Sequence, residues 1–140
     1  MRILTAVDGS KFTKRMLAYL GAHDEWLGPQ HQYTVMHATS GLPARATAML
    51  DSKLVKNYYD EEAAKVFKPI RSFFTRHGLD ATYVTKVGAA ADVIIATAKR
   101  GHHDLIVMGS HGHNSIGNLV MGSVATKVLA GCSTPVLLIR

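Results

Sequence analysis

Short apolar runs alternate with amphipathic stretches along the whole chain, and that alternation restricts the possible fold more than any other feature. The apolar runs fall at residues 2–7, 32–38, 81–87, 105–108 and 135–139. Between them lie helical patterns at 10–26, 46–77, 90–99 and 122–130. Residues 2–7 and 105–108 are almost wholly apolar, as a strand covered on both faces must be. A strand–helix unit repeated in this way builds an α/β fold, a parallel sheet with helices on both faces. Ligands of such sheets bind beyond the carboxyl ends of the strands, where strand order reverses. The segments in that position are Asp8-Gly9-Ser10, Ala38-Thr39-Ser40 and the residues from Gly109 onward.

Local signals refine the elements. Ser10 is a good cap for the first helix, whose inner face holds Met16, Leu17 and Leu20. That helix is expected to run to about Trp26, with Gly28-Pro29 closing it. The pattern at 46–77 is too long for one helix of a small domain. It predicts a short first piece and a main helix from about Tyr58, kinked at Pro69 and stopped by His77-Gly78. Met16, Met49, Met108 and Met121 are expected in the core. Cys132 reads as a small packed residue. The run 136–139 is expected to be buried; at a sheet edge it would instead pair with a second copy.

Composition limits the partners. The 140 residues suit one domain spanning 1–140. Net charge is +6, which favours anionic ligands. The basic residues are scattered, without a dense run interleaved with aromatics, and this argues against nucleic acid. No apolar run reaches the ~20 residues of a membrane span, and the apolar start is too short for a signal peptide. One cysteine precludes an intrachain disulfide and a cysteine-based zinc site. The chain therefore suits a reducing cytoplasm.

The segment after the fourth strand carries the chemistry. Gly109 and Gly112 allow a tight turn and a close approach of backbone to ligand. Gly122-Ser123 opens a helix whose unpaired N–H groups and positive dipole end attract an anion. Ser123 adds a hydroxyl for a phosphate oxygen or a metal-bound water, or it serves as a simple N-cap. Asp8 likewise either caps the first helix or faces the ligand. The insert 116–121 is placed to fold over a ligand. This is not a usual P-loop. Gly117 and Gly122 have part of the spacing, but Ser123 stands where the lysine should be. The dinucleotide glycine fingerprint is missing after the first strand. Both absences favour binding over phosphoryl transfer. No pattern sets a nucleophile beside a base, so no catalytic residue and no protein metal ligand are assigned.

These residues resemble the ATP-binding branch of the universal stress protein family. That branch is marked by Gly, two residues, Gly, nine residues, then Gly with Ser or Thr. Gly109, Gly112, Gly122 and Ser123 match it with the spacing intact. The likeness extends to Ile3-Leu4-Thr5-Ala6-Val7-Asp8-Gly9-Ser10, Val35-Met36-His37-Ala38, the run Asp104 to Gly112, and Thr134-Pro135-Val136-Leu137-Leu138-Ile139. It implies a single-domain, open, five-stranded parallel sheet in the order 3-2-1-4-5, as in the adenine nucleotide alpha hydrolase-like folds. It implies that Ala6 and Val7 line a base pocket with Met108 nearby. Asp8 and the backbone at Ala38 would face adenine and ribose. Gly109, His111 and Gly112 would sit near ribose and phosphates, and Gly122, Ser123, Val124 and Ala125 would hold the triphosphate. It further implies a homodimer through the last strand, residues 135–139.

Two positions depart from the family pattern. Ala38 is small where a bulkier aliphatic residue can face the base, and Ala125 lacks a hydroxyl that some relatives offer; both weaken affinity. The expected function is an ATP-binding, nucleotide-dependent switch or interaction module in stress response. Mg²⁺ would be carried by phosphate oxygens and water. The alternatives are slow ATP hydrolysis, self-phosphorylation on Ser110, Ser115 or Ser123, or binding of another adenosine ligand such as AMP.

Overall fold

The computed structural model describes residues 1–23, 25, 27–113 and 120–140. Five strands, β1 (Arg2–Val7), β2 (Gln32–Thr39), β3 (Ala81–Val87), β4 (Leu105–Gly109) and β5 (Val136–Ile139), form one parallel sheet in the order β3-β2-β1-β4-β5. The helices are α1 (Lys11–Ala22), α2 (Ala44–Met49), α3 (Ser52–Arg76), α4 (Ala90–Arg100) and α5 (Ser123–Gly131).

Period-two alternation along the strands makes two cores, one on each face. Ile3, Val7, Val35 and Val107 point to one face and pack with Met16, Leu17 and Leu20 of α1 and Phe67, Ile70 and Phe74 of α3. Leu4, Met36, Ile106 and Met108 point to the other and pack with Ala91, Ile94 and Ala98 of α4 and Ala125 and Val128 of α5. Ile70, Leu4 and Ile106 have no exposed surface at all. The strand order reverses between β1 and β4, so the carboxyl ends of these strands diverge into a crevice.

Several boundaries differ from expectation for local reasons. Helix α1 stops at Ala22, short of the expected end near Trp26, which lies outside the described residues. The His23 ring nitrogen Nδ1 lies 2.8 Å from the Tyr19 carbonyl and the two rings stack at 4.1 Å. The side chain thus takes the carbonyl that the next backbone N–H of the helix would have used. Helix α3 begins at Ser52, not near Tyr58, and continues through Pro69 as one helix. Asp51 supplies its cap, accepting from Lys53 N–H at 3.3 Å. His77 ends α3 and Gly78 follows with φ +65°, a left-handed turn.

Met49 is 87% exposed, contrary to its expected place in the core, because α2 buries none of its residues. Met16 and Met108 are buried as expected, and Met121 and Cys132 pack partly against the α4–α5 core. Strand β5 forms an edge of the sheet, so of its residues only Ile139 is fully buried.

Candidate functional site

The crevice is a cleft of about 510 Å³ at the carboxyl ends of β1, β2 and β4, within the size range of small-molecule sites. Every site residue expected from sequence lines it: Ala6, Val7 and Asp8 from β1 and its turn, Ala38 from β2, Met108 and Gly109 from β4, His111 and Gly112 from the loop, and Gly122, Ser123, Val124 and Ala125 at the start of α5. Thr13, Met36, Ser40, Ala90, Ile94, Ser110 and His113 complete the wall.

One end is apolar. Ala6 pairs in register with Met36 on one side and Met108 on the other, so these three side chains form one rung on the same face of the sheet. Ile94 and Ala90, one helical turn apart on α4, stand beside them. Met36 and Ile94 were missed in the sequence. The signal was present: Met36 lies two residues before Ala38 on the same strand face, but only strand register shows that it adjoins Ala6.

The other end is polar and built largely from backbone. Asp8 holds the turn after β1. Its Oδ1 accepts from Ser10 N–H and from the Thr13 hydroxyl, each at 2.9 Å, and its own N–H donates to Thr13 Oγ1 at 3.1 Å. Gly9 turns the chain with φ +76°. Ser10 then caps α1 by accepting from Phe12 N–H. Ser10, not Asp8, is therefore the cap of α1, and Asp8 Oδ1 holds the turn that leads into it. Oδ2 faces Gly112, where an added Cβ would lie 2.8 Å from it.

The glycines act through proximity rather than through unusual backbone angles. Gly109 and Gly112 do not have positive φ, so what they supply is space. A Cβ on Gly109 would sit 2.7 Å from Phe12 Cβ. A Cβ on Gly122 would meet the His111 backbone at 3.1 Å, and Gly122 N–H donates to the Ser110 carbonyl at 2.8 Å. His113 Nε2 lies 2.7 Å from the Asp8 carbonyl. The two ends of the glycine segment thus pack against each other and against the β1 turn. Residues 114–119, which hold Ser115, Gly117 and most of the insert 116–121, lie outside the described residues.

Helix α5 is capped by Gly122, so Ser123 is its first helical residue and not the N-cap. The cap residue Gly122 offers no side-chain bond to the first-turn N–H groups, and no acidic residue lies in that turn. Its dipole and N–H groups therefore favour an anion at the mouth of the cleft. Among the described residues the wall contains neither lysine nor arginine. An anion here would be held by backbone N–H groups and hydroxyls. One contact was not anticipated: Ser110 Oγ lies 2.9 Å from His111 Nδ1. Among the described residues, Asp8 is the one carboxylate of the wall, and no group of three metal-ligating side chains occurs. A divalent cation could enter such a site on a ligand's own oxygens.

The family model of the universal stress proteins matches residues 1–140. A universal stress protein of Thermus aquaticus is 33% identical over 99% of this chain and 97% of its own length. Another, from Methanocaldococcus jannaschii, is 31% identical over 71% of this chain, and that match spans 56% of the relative. Among solved structures, the M. jannaschii protein MJ0577 superposes with a TM-score of 0.82 at 23% identity, covering 99% of this chain and 94% of its own. An Arabidopsis thaliana universal stress protein family member solved with AMP bound has a TM-score of 0.71 at 16% identity, covering 99% and 90%. One from Archaeoglobus fulgidus in complex with dAMP has a TM-score of 0.68 at 22% identity, covering 100% and 98%. At these identities the structures show a shared fold.

Proposed function

We propose that this chain, which belongs to the universal stress protein family, binds an adenine nucleotide in the cleft and works as a nucleotide-dependent switch. The observation that carries this reading is the polarity of the cleft. An apolar rung of Ala6, Met36 and Met108 lies at one end, and the start of α5, whose cap residue Gly122 has no side chain, lies at the other. A planar base suits the first and phosphates suit the second. Asp8 Oδ2 stands near Gly112, where it can accept from a hydroxyl or amino group of the adenosine. Fold relatives solved with AMP and dAMP support an adenine nucleotide.

The finer reading is ATP. Gly109, His111 and Gly112 flank the ribose and first phosphates, while Gly122, Ser123, Val124 and Ala125 receive the rest. Mg²⁺ travels on the phosphate oxygens. Phosphates bridging Gly112 and Gly122 would hold the two ends of the intervening segment and so alter a surface that partners read. The chain acts as one domain in the cytoplasm, and β5, an edge of the sheet, pairs with a second copy through residues 135–139. Calorimetric titration with ATP, AMP and GTP in the presence of Mg²⁺ tests this. Micromolar ATP binding, weaker AMP and weakest GTP are expected; no adenine-nucleotide affinity below millimolar overturns it.

The Ser110–His111 contact favours a second reading, slow self-phosphorylation. His111 would take the Ser110 proton as the hydroxyl attacks the terminal phosphorus, and ADP would leave. Incubation with γ-labelled ATP should then label the wild type and not Ser110→Ala; an unlabelled wild type removes this reading.

A further inference from the structure

A second groove, of about 640 Å³, lies between α3 and β3 and shares no wall residue with the cleft. Lys68, Arg71, Tyr83 and Thr85 line it. The Arg71 guanidinium lies 3.7 Å from the centre of the Tyr83 ring and 6.0 Å from that of Phe67. Stacking fixes a guanidinium by its flat face and leaves its in-plane N–H donors for an acceptor. The ion pairs among the described residues are Lys56–Asp60 and Lys65–Glu62, so neither Lys68 nor Arg71 has a carboxylate partner there. Asp60, the acid of the groove, is engaged by Lys56 at 2.9 Å. The groove thus holds a positioned fork and a second cation, one helical turn apart, without an anion between them.

Beside this groove the sheet is open. Strand β3 pairs with β2 alone and forms an edge. Its outer row of N–H and C=O groups is a template for another strand. Ala81 and Tyr83 pack towards the α3 face. An extended segment laid along β3 would therefore place every second side chain on that face, beside Tyr83 and Thr85 and within the reach of long cations on α3. A glutamate or aspartate there would meet the Arg71 fork in two parallel hydrogen bonds.

We propose that the free edge of β3 and the Lys68–Arg71 groove together dock an extended acidic peptide segment as a sixth strand. Charge selects this occupant. A second copy paired edge to edge would bring a second Lys68 and Arg71 to the same face, which disfavours it. An acidic strand neutralises both while β3 supplies main-chain bonds.

The test uses the full chain and a short fluorescein-labelled peptide alternating glutamate with valine. A counterpart with lysine in place of glutamate serves as control. Fluorescence anisotropy should show binding of the first peptide and not of the second. Arg71→Ala should weaken it by about tenfold or more, the loss of one charge-assisted contact. Arg71→Lys should not restore it, because the fork is gone. Lys68→Glu, an exposed change that leaves the Arg71 stack in place, should weaken it similarly. Hydrogen exchange should slow at the amides of 81–87 when the acidic peptide is bound. Wild-type affinity in both Arg71→Ala and Lys68→Glu overturns the proposal, as does binding without protection of β3. Protection of β3 that rises with protein concentration alone would identify a second copy as the occupant and overturn it too.

Discussion

Replacing Asp8 separates two jobs held by one carboxylate. Oδ1 accepts from Ser10 N–H and the Thr13 hydroxyl at 2.9 Å, and both donors belong to buried residues. Oδ2 makes no part of that turn and faces the cleft beside Gly112. Asp8→Ala removes both acceptors, and the loss of two hydrogen bonds at ~0.5–1.5 kcal/mol each gives about 1–3 kcal/mol. For a chain of this size that lowers Tm by about 3–10 °C. Asp8→Asn keeps an oxygen for Ser10 and Thr13 and removes the charge at the cleft, so Tm should move by no more than about 2 °C. Its nucleotide affinity should still fall about tenfold, the weight of one charge-assisted hydrogen bond. The assays are thermal unfolding by circular dichroism and calorimetric ATP titration on the same preparations. An Asn variant that binds ATP as tightly as wild type, beside an unstable Ala variant, would show that Asp8 only caps the turn.

Gly109→Ala places a methyl 2.7 Å from Phe12 Cβ and should cost about 1–3 kcal/mol by overpacking, read as a lower urea midpoint; an unchanged midpoint would contradict the close approach. Ser123→Ala should reduce affinity for ATP several-fold, about 1 kcal/mol, and leave AMP untouched, since its hydroxyl is assigned to the outer phosphates; equal losses for both ligands would move it elsewhere. Burial holds the Tyr33 hydroxyl above its ordinary pKa of 10.0, against a smaller opposing effect of its backbone hydrogen bond with Gly28. The folded state therefore keeps a proton that the unfolded chain gives up above pH 10. The stabilisation is complete below that pH and is lost as pH rises towards the folded value. Tyr33→Phe should narrow the fall in urea midpoint between pH 8 and pH 11, and an identical fall in both proteins would refute this.

Much of the cleft was legible because its parts are local. The glycine segment, the Asp8 turn and the apolar strand runs are each contiguous, and the parallel alternation brings their ends together at one edge of the sheet. What remained hidden depends on register and packing. Met36 joins the wall only because β2 pairs with β1 so that it lies opposite Ala6. Ile94 joins it because α4 packs on the same face. The sequence suggests that Gly109 and Gly112 admit a close approach of the backbone, but that Phe12 and Asp8 are the neighbours needing the space is revealed by no local pattern. The length of the pattern at 46–77 argues for a helix starting near Tyr58, but α3 starts at Ser52. Its early start comes from the Asp51 cap, and its later turns are fixed by Phe67, Ile70 and Phe74 against the sheet. Met49 was placed inside by residue type alone, but α2 is a short helix that buries nothing.

The central claim is that a nucleotide lies across the cleft with its base on the apolar rung and its phosphates at the start of α5. Nuclear magnetic resonance on methyl- and amide-labelled protein tests it most directly. On addition of Mg·ATP, magnetisation should pass between the Met36 and Met108 methyl groups and the adenine protons. The amides of Gly109, Gly112, Gly122 and Ser123 should shift most. Saturating ATP that leaves these methyl groups and amides unmoved, or that shifts a different surface, would contradict the account.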